Sequence, residues 1–418
     1  MPSGEIGHPA HIEIDDLVAT RKPGMSLAQP FYTDAAIFRM DLEQIFMHYW
    51  LFAGHISQIP DPGDYFVFEM ANESVIVIRD NDQQVHAFFN VCRHRGSRIC
   101  TMLSGHAKSL VCPYHQWTYK PDGTLVAARH MPQDFDKSGF GLHCAPVRIL
   151  EGLIFISLTE HPPDFESVEK DLLQHLRPHN LGQAKICHTC HYDIRANWKL
   201  VVENSRECYH CPPAHPEYCR IMGFAAGVDS PRIAAEDETI TQERESHWEK
   251  IGLDTRHIDF LSNTWHLAIR YPFRKGFVSQ SLDGQPVAPL MGTFTERDAG
   301  GLAVVIYPTF WFEASSDYAM IQRFLPAGPT LTKVEMNWLV HGDAKEGVDY
   351  EVERVTAFWR ATAEQDRIIC EDNQTGVNSS HYQPGPYSPI EFEVEKFVGW
   401  YLHQVGKTSS PFKTEMLP

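Results

Sequence analysis

Cys92-Arg93-His94-Arg95-Gly96-Ser97 and Cys112-Pro113-Tyr114-His115-Gln116-Trp117 each place one thiol and one imidazole in a short stretch, and the reading of this pair decides the first half of the chain. Seventeen residues separate His94 from Cys112. That is enough for a pair of strands to bring two loops together. Two cysteines and two histidines form the ligand set of a [2Fe–2S] cluster in which imidazoles hold one iron and thiolates the other. A structural zinc ion accepts the same set, although its pairs usually run C-x2–4-C and H-x3–5-H rather than C-x-H. Unrelated core cysteines and surface histidines are the remaining alternative. The flanks favour a cluster: Arg95-Gly96-Ser97 lets the first loop turn tightly, and Trp117 can cover the second. Imidazole ligands are neutral, so such a cluster has a raised potential, roughly −150 to +300 mV, suited to passing on single electrons.

Outward from these loops, segments 65–69, 74–79 and 84–90 are short alternating runs separated by Pro-Gly and Asn-Asp turns. They predict a small antiparallel β domain over 51–160. Residues 1–50 precede it as a leader, with a helix expected over 34–50. Thr33 or Asp34 would cap that helix, and Ile37, Met40, Leu42, Ile45 and Phe46 would form its apolar stripe. Residues 161–165, with Pro162 and Pro163, read as a linker. The remainder, 161–418, mixes helices expected over 197–211 and 349–373 with strands expected over 304–312, 320–325 and 333–340. The fold class is therefore α+β: an antiparallel β domain, then a larger domain whose antiparallel sheet is covered by helices.

The chain has 418 residues, 43% hydrophobic content and a formal charge of −18. The acidic balance argues against a nucleic-acid partner. No apolar run approaches the length of a membrane span, and no secretory signal is visible, so a cytoplasmic location is expected. Ten cysteines in such a chain do not imply a disulfide framework. Cys187-His188-Thr189-Cys190-His191 matches the attachment pattern of c-type haem, but attachment normally needs export, and the segment also reads as a strand running to Arg195. Cys100, Cys144, Cys219 and Cys370 read as buried small hydrophobes. No glycine-rich dinucleotide fingerprint follows a strand, so no dinucleotide site of that kind is expected in this chain.

CRHRGS over 92–97, followed by CPYHQWTY-x-x-DG-x-L from 112, resembles the Rieske motif of the ring-hydroxylating oxygenase α-subunit family. The resemblance covers nearly the whole chain. It implies an oxygenase with a Rieske [2Fe–2S] cluster on Cys92, His94, Cys112 and His115, and a mononuclear Fe(II) site downstream. It also implies O2 as co-substrate, electrons from NAD(P)H through a separate flavin- and ferredoxin-type reductase, and a homotrimer.

The second site falls in Asn197–His215, where His210 and His215 stand five apart. That spacing does not share one face of an ideal helix. Pro212 and Pro213 are expected to end the helix after His210 and let His215 swing back. With one carboxylate the pair makes a 2-His-1-carboxylate triad, which leaves positions open for oxygen and substrate. Asp366-x4-Glu371-x2-Gln374 resembles the family's D-x4-E-x2-Q segment, which implies Asp366 as the third ligand. Glu364 and Glu371 compete for the role. In related oxygenases an acidic residue at the position of Glu207 bridges a cluster histidine of one subunit and an iron histidine of its neighbour. The residue there is often Asp, so Glu207 carries one extra methylene. Cys208 and Cys211 flank His210 and are read as packing residues.

The segments 206–211, 281–284 and 290–292 resemble the betaine-demethylating branch of the family. This implies a monooxygenase that N-demethylates a small quaternary ammonium compound, glycine betaine or proline betaine, with release of formaldehyde. A ring-hydroxylating dioxygenase on the same scaffold is the alternative, and a zinc-stabilised binding protein is the alternative from another class. A permanent cation is attracted to aromatic faces. Trp265, Tyr271, Phe273, Tyr307, Phe310, Trp311, Phe312 and Trp338 are the candidates. Arg270, Arg274 and Lys275 could pair with a substrate carboxylate.

Overall fold

The computed structural model describes residues 14–260 and 264–406. The expected segments around the two Cys-His loops form strands Asp64–Met70, Glu73–Arg79 and Val85–Phe89, which make an antiparallel sheet with Ser104–His106. A second sheet, of strands Leu110–Val111, Thr118–Tyr119 and Leu125–Ala127, carries the second loop. A third joins Trp50–His55, Leu153–Ser157 and Val147–Leu150. Every residue of Trp50–His55 and of Leu153–Ser157 is buried. Such strands read as continuous apolar runs because both faces are covered. Here Phe52 meets Phe310 at 5.0 Å, and the Thr309 hydroxyl accepts from the Phe52 N–H. The base of the β domain thus packs directly on the larger sheet.

That larger sheet is six-stranded and antiparallel. Its order is Ala184–Ile194, Leu331–His341, Ala319–Gly328, Phe310–Ala314, Gly301–Ile306 and His266–Tyr271. Register fixes which side chains share a face, because alternate residues point to opposite sides. Ile269 pairs with Ala303, Ala303 with Glu313, Glu313 with Met320, and Met320 with Trp338. This face is covered by the helix Val352–Val377, which buries Val355, Phe358, Trp359, Ala363 and Cys370. The opposite face presents Val304, Phe312 and Ile321, which join the core that also holds Phe397 and Trp400 of the last helix, Phe392–Val405.

Four expected elements differ. The single strand over 304–312 is two strands, because the chain turns through Tyr307, Pro308 and Thr309. Pro308 has no N–H to give to a ladder. The leader helix is regular only over Ala35–Asp41, where Asp34 accepts from Ala36 N and Ile37 N. It then widens into a π-helical turn over Leu42–Phe46, and Trp50 already begins a strand. The helix over 197–211 ends at Asn204. The helix over 349–373 runs instead from Val352 to Val377.

Asp41 ties the leader to the larger domain. It and Lys199 are fully buried and paired, and Asp41 also accepts from Trp198 Nε1 at 3.0 Å and Tyr401 Oη at 2.8 Å. Removing one member of a buried pair leaves the other charge without compensation. Asp41→Ala is therefore expected to lower stability by about 3–5 kcal/mol. The midpoint of urea unfolding reads this loss directly; an unchanged midpoint would mean that Lys199 finds another partner.

Candidate metal centres and active-site cavity

The two Cys-His loops close in the same way. In the first, Cys92 N donates to Ser97 O and Gly96 N to Cys92 O; in the second, Cys112 N donates to Trp117 O and Gln116 N to Cys112 O. Both loops need positive φ at the fifth residue. Gly96 adopts +77° without steric cost, and Gln116 adopts +58°. The result is a matched pair of projections. Cys92 and Cys112 are 2% and 1% exposed, whereas His94 and His115 reach toward the surface. Their Nδ1 atoms approach to 3.1 Å. Two imidazole nitrogens at that separation are either hydrogen-bonded or spaced as two ligands of one ion. Trp117 stacks on His94 with ring centroids 4.9 Å apart and a 6° interplanar angle. Tyr119 Oη lies 3.4 Å from Cys92 Sγ and accepts from Arg93 N. Burial raises the Cys92 thiol's pKa. Buried thiols beneath outward imidazoles suit a cluster with one thiolate-held and one imidazole-held iron.

The second group is tighter. His210 Nε2 and His215 Nε2 are 3.1 Å apart, and Asp366 Oδ1 lies 3.0 Å from His215 Nε2 and 3.3 Å from His210 Nε2. Three ligand atoms thus form one small triangle, and the other ring nitrogens are turned away to fixed partners. His210 Nδ1 meets Glu207 Oε1 at 2.5 Å, and His215 Nδ1 meets Gln365 Oε1 at 2.7 Å. Outer partners of this kind set tautomer and ring orientation. Burial alone would lower the His210 pKa, but Asp366 and Glu207 lift it to about 9. Burial alone would raise Asp366, yet the two imidazoles hold its carboxyl below the usual range. The competing carboxylates face elsewhere: Glu364 pairs with Arg367, and Glu371 pairs with Arg367 and accepts from Arg195 N.

The local backbone differs from the expected one. After Asn204 the chain leaves the helix, so Glu207 and His210 sit on irregular turns. Glu207 reaches His210 because its Oε2 also accepts from the backbone N–H groups of Tyr209 and His210. Pro212 and Pro213 do not end a helix; they open a short one, Cys211–Ala214, where a missing N–H costs nothing. Cys208 and Cys211 pack in the core as expected, and they are also joined in a disulfide, which was not expected. The Cys211 sulfur lies within 4.8 Å of ligand atoms of both imidazoles, but in the disulfide it offers no thiolate. Cys100 and Cys370 are buried as expected, Cys219 is only partly so, and Cys144 is exposed. Cys187 and Cys190 lie on the edge strand Ala184–Ile194 with free thiols.

The triad opens into a cavity of about 460 Å³. Of the expected aromatics, Tyr271 and Trp311 line it. Trp265, Tyr307, Phe310 and Phe312 belong to the core on the other sheet face, and Phe273 and Trp338 are packed beside the cavity without lining it. Tyr218, Phe224 and Trp359 complete the wall. Trp311 and Trp359 meet edge to face at 6.1 Å, as do Phe224 and Tyr271 at 5.3 Å. Glu313, 3% exposed, is embedded among them. It accepts from Tyr271 Oη at 2.5 Å, Trp311 Nε1 at 3.0 Å and Gln280 Nε2 at 3.2 Å. Burial pushes its carboxyl up to about 7 against those three donors. The basic candidates are held by backbone carbonyls: Arg270 is among the residues lining the cavity but donates to Ala299 O, and Arg274 is drawn to the carbonyls of Cys219 and Arg220. Lys275 is exposed.

Comparisons with known proteins agree with this anatomy. Residues 49–148 match the Rieske [2Fe-2S] domain, and residues 181–407 match the ring hydroxylating alpha subunit catalytic domain. The glycine betaine monooxygenase oxygenase subunit of Chromohalobacter salexigens is 41% identical over 389 residues, 92% of this chain and 87% of that one. Its counterpart from Pseudomonas aeruginosa is 40% identical over 97% of this chain and 96% of its own. Among solved structures, a quaternary ammonium Rieske monooxygenase studied for carnitine oxidation superposes with a TM-score of 0.71 at 22% identity, over 93% of this chain and 98% of that one. Naphthalene 1,2-dioxygenase from Rhodococcus gives 0.66 at 18% identity, over 92% and 95%. These two likenesses concern the fold alone.

Proposed function

The chain belongs to the ring-hydroxylating α-subunit family with an N-terminal Rieske domain, and from that premise we propose that it N-demethylates a small trimethylammonium carboxylate, with glycine betaine the leading candidate. The domain division we adopt is 1–50, 51–160 and 161–418. Cys92, His94, Cys112 and His115 hold the [2Fe–2S] cluster, and His210, His215 and Asp366 hold Fe(II). Together these groups supply the electrons and the oxygen activation that hydroxylate a C–H bond. The observation that carries the substrate reading is the cavity beside the triad: an aromatic wall with one buried carboxylate, Glu313.

The chain's own residues do the rest. Each aromatic face presented to a permanent cation contributes on the order of 0.5–2 kcal/mol, more as water is excluded. A bound cation favours the ionised form of Glu313, so the substrate and the carboxylate stabilise one another. Gln365 and Glu207 hold the two imidazoles with their Nε2 atoms toward Asp366. Oxidation of one N-methyl group gives an N-hydroxymethyl cation; loss of its hydroxyl proton and cleavage of the C–N bond release formaldehyde, and the C–N electron pair stays on the tertiary amine.

We further propose a homotrimer served by a flavin- and ferredoxin-type reductase. Among the described residues, Glu207 bonds His210 but neither cluster histidine of its own chain. A second copy is then the source of the cluster-side imidazole. No helix among the described residues is long and apolar enough to cross a membrane.

The test is incubation with O2, NADH, a competent reductase, and either glycine betaine, proline betaine, naphthalene or benzoate. Formaldehyde and the demethylated amine are expected in equal amounts from a betaine. Dihydrodiol from the aromatics with no betaine turnover would reverse the assignment.

A further inference from the structure

Arg206 follows the helix Trp198–Asn204 and directly precedes Glu207. Its side chain is 11% exposed and lines the same cavity as the triad. Its Nε is buried without a hydrogen-bond partner. The acid it faces, Glu393, lies 3.8 Å from its terminal nitrogen, beyond hydrogen-bond reach, and is already held by Lys396 at 2.8 Å. Other buried guanidinium groups also leave one nitrogen without a partner, Nε in Arg323 and a terminal nitrogen in Arg270, but their remaining nitrogens are engaged. Arg323 donates to Ala53 O and pairs with Glu335, each at 2.6 Å, and Arg270 donates to Ala299 O at 2.7 Å. A mostly buried guanidinium with donors to spare, in the wall of a substrate cavity, is a group prepared for an external acceptor.

The rest of the cavity makes that acceptor specific. Glu207, Asp237, Glu245, Glu313, Asp366 and Glu393 all line it. A wall so rich in carboxylates attracts an ammonium group and repels a free carboxylate unless a fixed cation offsets it. Two guanidinium groups line that wall: Arg270 donates to the carbonyls of Asp254 and Ala299, whereas Arg206 is the one whose charge is felt at Glu313, where it opposes the upward shift. In glycine betaine one methylene separates the cationic nitrogen from the carboxylate, so the two recognition groups must share one small cavity. The guanidinium fork suits a planar carboxylate because it gives two parallel charge-assisted bonds.

We infer that Arg206 binds the carboxylate of the substrate while Glu313, Trp311 and Trp359 hold its trimethylammonium end, which makes Arg206 the residue that selects amino-acid betaines over amino alcohols. This rests on the betaine reading above. Choline is the discriminating probe: it carries the same trimethylammonium group with a hydroxyl in place of the carboxylate. The experiment is calorimetric titration of the intact, metal-loaded protein with glycine betaine and with choline, for wild type, Arg206→Gln and Arg206→Lys. Cluster absorbance verifies that each variant is folded and loaded. Wild type is expected to prefer glycine betaine. Arg206→Gln is expected to weaken betaine binding by about 10- to 100-fold, the worth of hydrogen bonds to a charged group, and to change choline binding by less than about threefold. Arg206→Lys keeps the charge but loses the fork and is expected to fall between. In turnover the loss should appear in KM more than in kcat, because the contact is made equally in ground and transition states. Betaine binding by Arg206→Gln at the wild-type level would overturn the role of Arg206 alone. Wild-type protein that binds neither trimethylammonium compound would overturn the betaine reading and this inference with it.

Discussion

His210→Ala is expected to leave the protein red-brown and to reduce turnover by more than about 100-fold, whereas Cys92→Ala is expected to bleach it. The first figure exceeds what loss of an outer partner of a metal ligand costs, about 10- to 100-fold, because His210 supplies one corner of the triangle itself. The two losses separate because the ligand sets sit on different elements. Cys92 lies in a loop closed by its own backbone bonds to Gly96 and Ser97. His210 lies on turns after the helix Trp198–Asn204, held by Glu207 and facing Asp366. Metal analysis reads the same division: about three irons and two acid-labile sulfides per wild-type chain, with one iron lost in His210→Ala. If His210→Ala bleached the protein, the assignment of two sites would fail. Stoichiometric zinc without sulfide in the wild type would remove the cluster altogether.

The cluster loops were legible because their ligands are local. One thiol and one imidazole lie within four residues in each loop, and the hydrogen bonds that shape the loop run between its own ends. The third ligand of the triad was not legible from spacing. Asp366 shares its helix with Glu364 and Glu371, and only family resemblance separated them. In the fold the separation comes from Arg367, which draws Glu364 and Glu371 to itself. The backbone around His210 was misread because Pro212 and Pro213 serve equally to stop a helix or to start one, and tertiary partners decide which. The strand over 304–312 was misread because an apolar run hides a turn at Pro308. The cavity wall was the least visible part. Alternation says that Trp311 and Glu313 share a sheet face, but only the seating of the Val352–Val377 helix says that this face looks onto the triad. Tyr218, Phe224 and Trp359 come from three separate elements, and Arg206 from an irregular segment expected to be helical. A guanidinium nitrogen left without a hydrogen bond has no signature in a sequence.

Glu207→Gln is expected to retain both metal centres and to slow electron delivery from cluster to iron by about 10- to 100-fold. Glu207 touches His210 Nδ1 at 2.5 Å through one oxygen, while the other accepts from the backbone N–H groups of Tyr209 and His210. The carboxylate is therefore locked in place by its own turn rather than by a long helix. Glutamine can keep the bond to Nδ1 through its amide oxygen, so His210 should stay oriented and the iron should stay bound. What it cannot keep is the second acceptor oxygen and the negative charge. Hydrogen bonds to a charged group are worth roughly 1.5–3 kcal/mol, against about 1 for neutral pairs. The weakened link falls on whichever imidazole approaches from the neighbouring copy as well as on His210. Glu207→Asp tests reach separately from charge, since it keeps the carboxylate but withdraws it by one methylene. Rapid mixing of the reduced protein with oxygen and substrate gives the answer from the cluster's absorbance. Slow cluster oxidation in Glu207→Gln with full iron and sulfide content supports a bridge between subunits. Oxidation at the wild-type rate would leave Glu207 with the orientation of His210 as its only task, and the route between the two centres would have to run elsewhere.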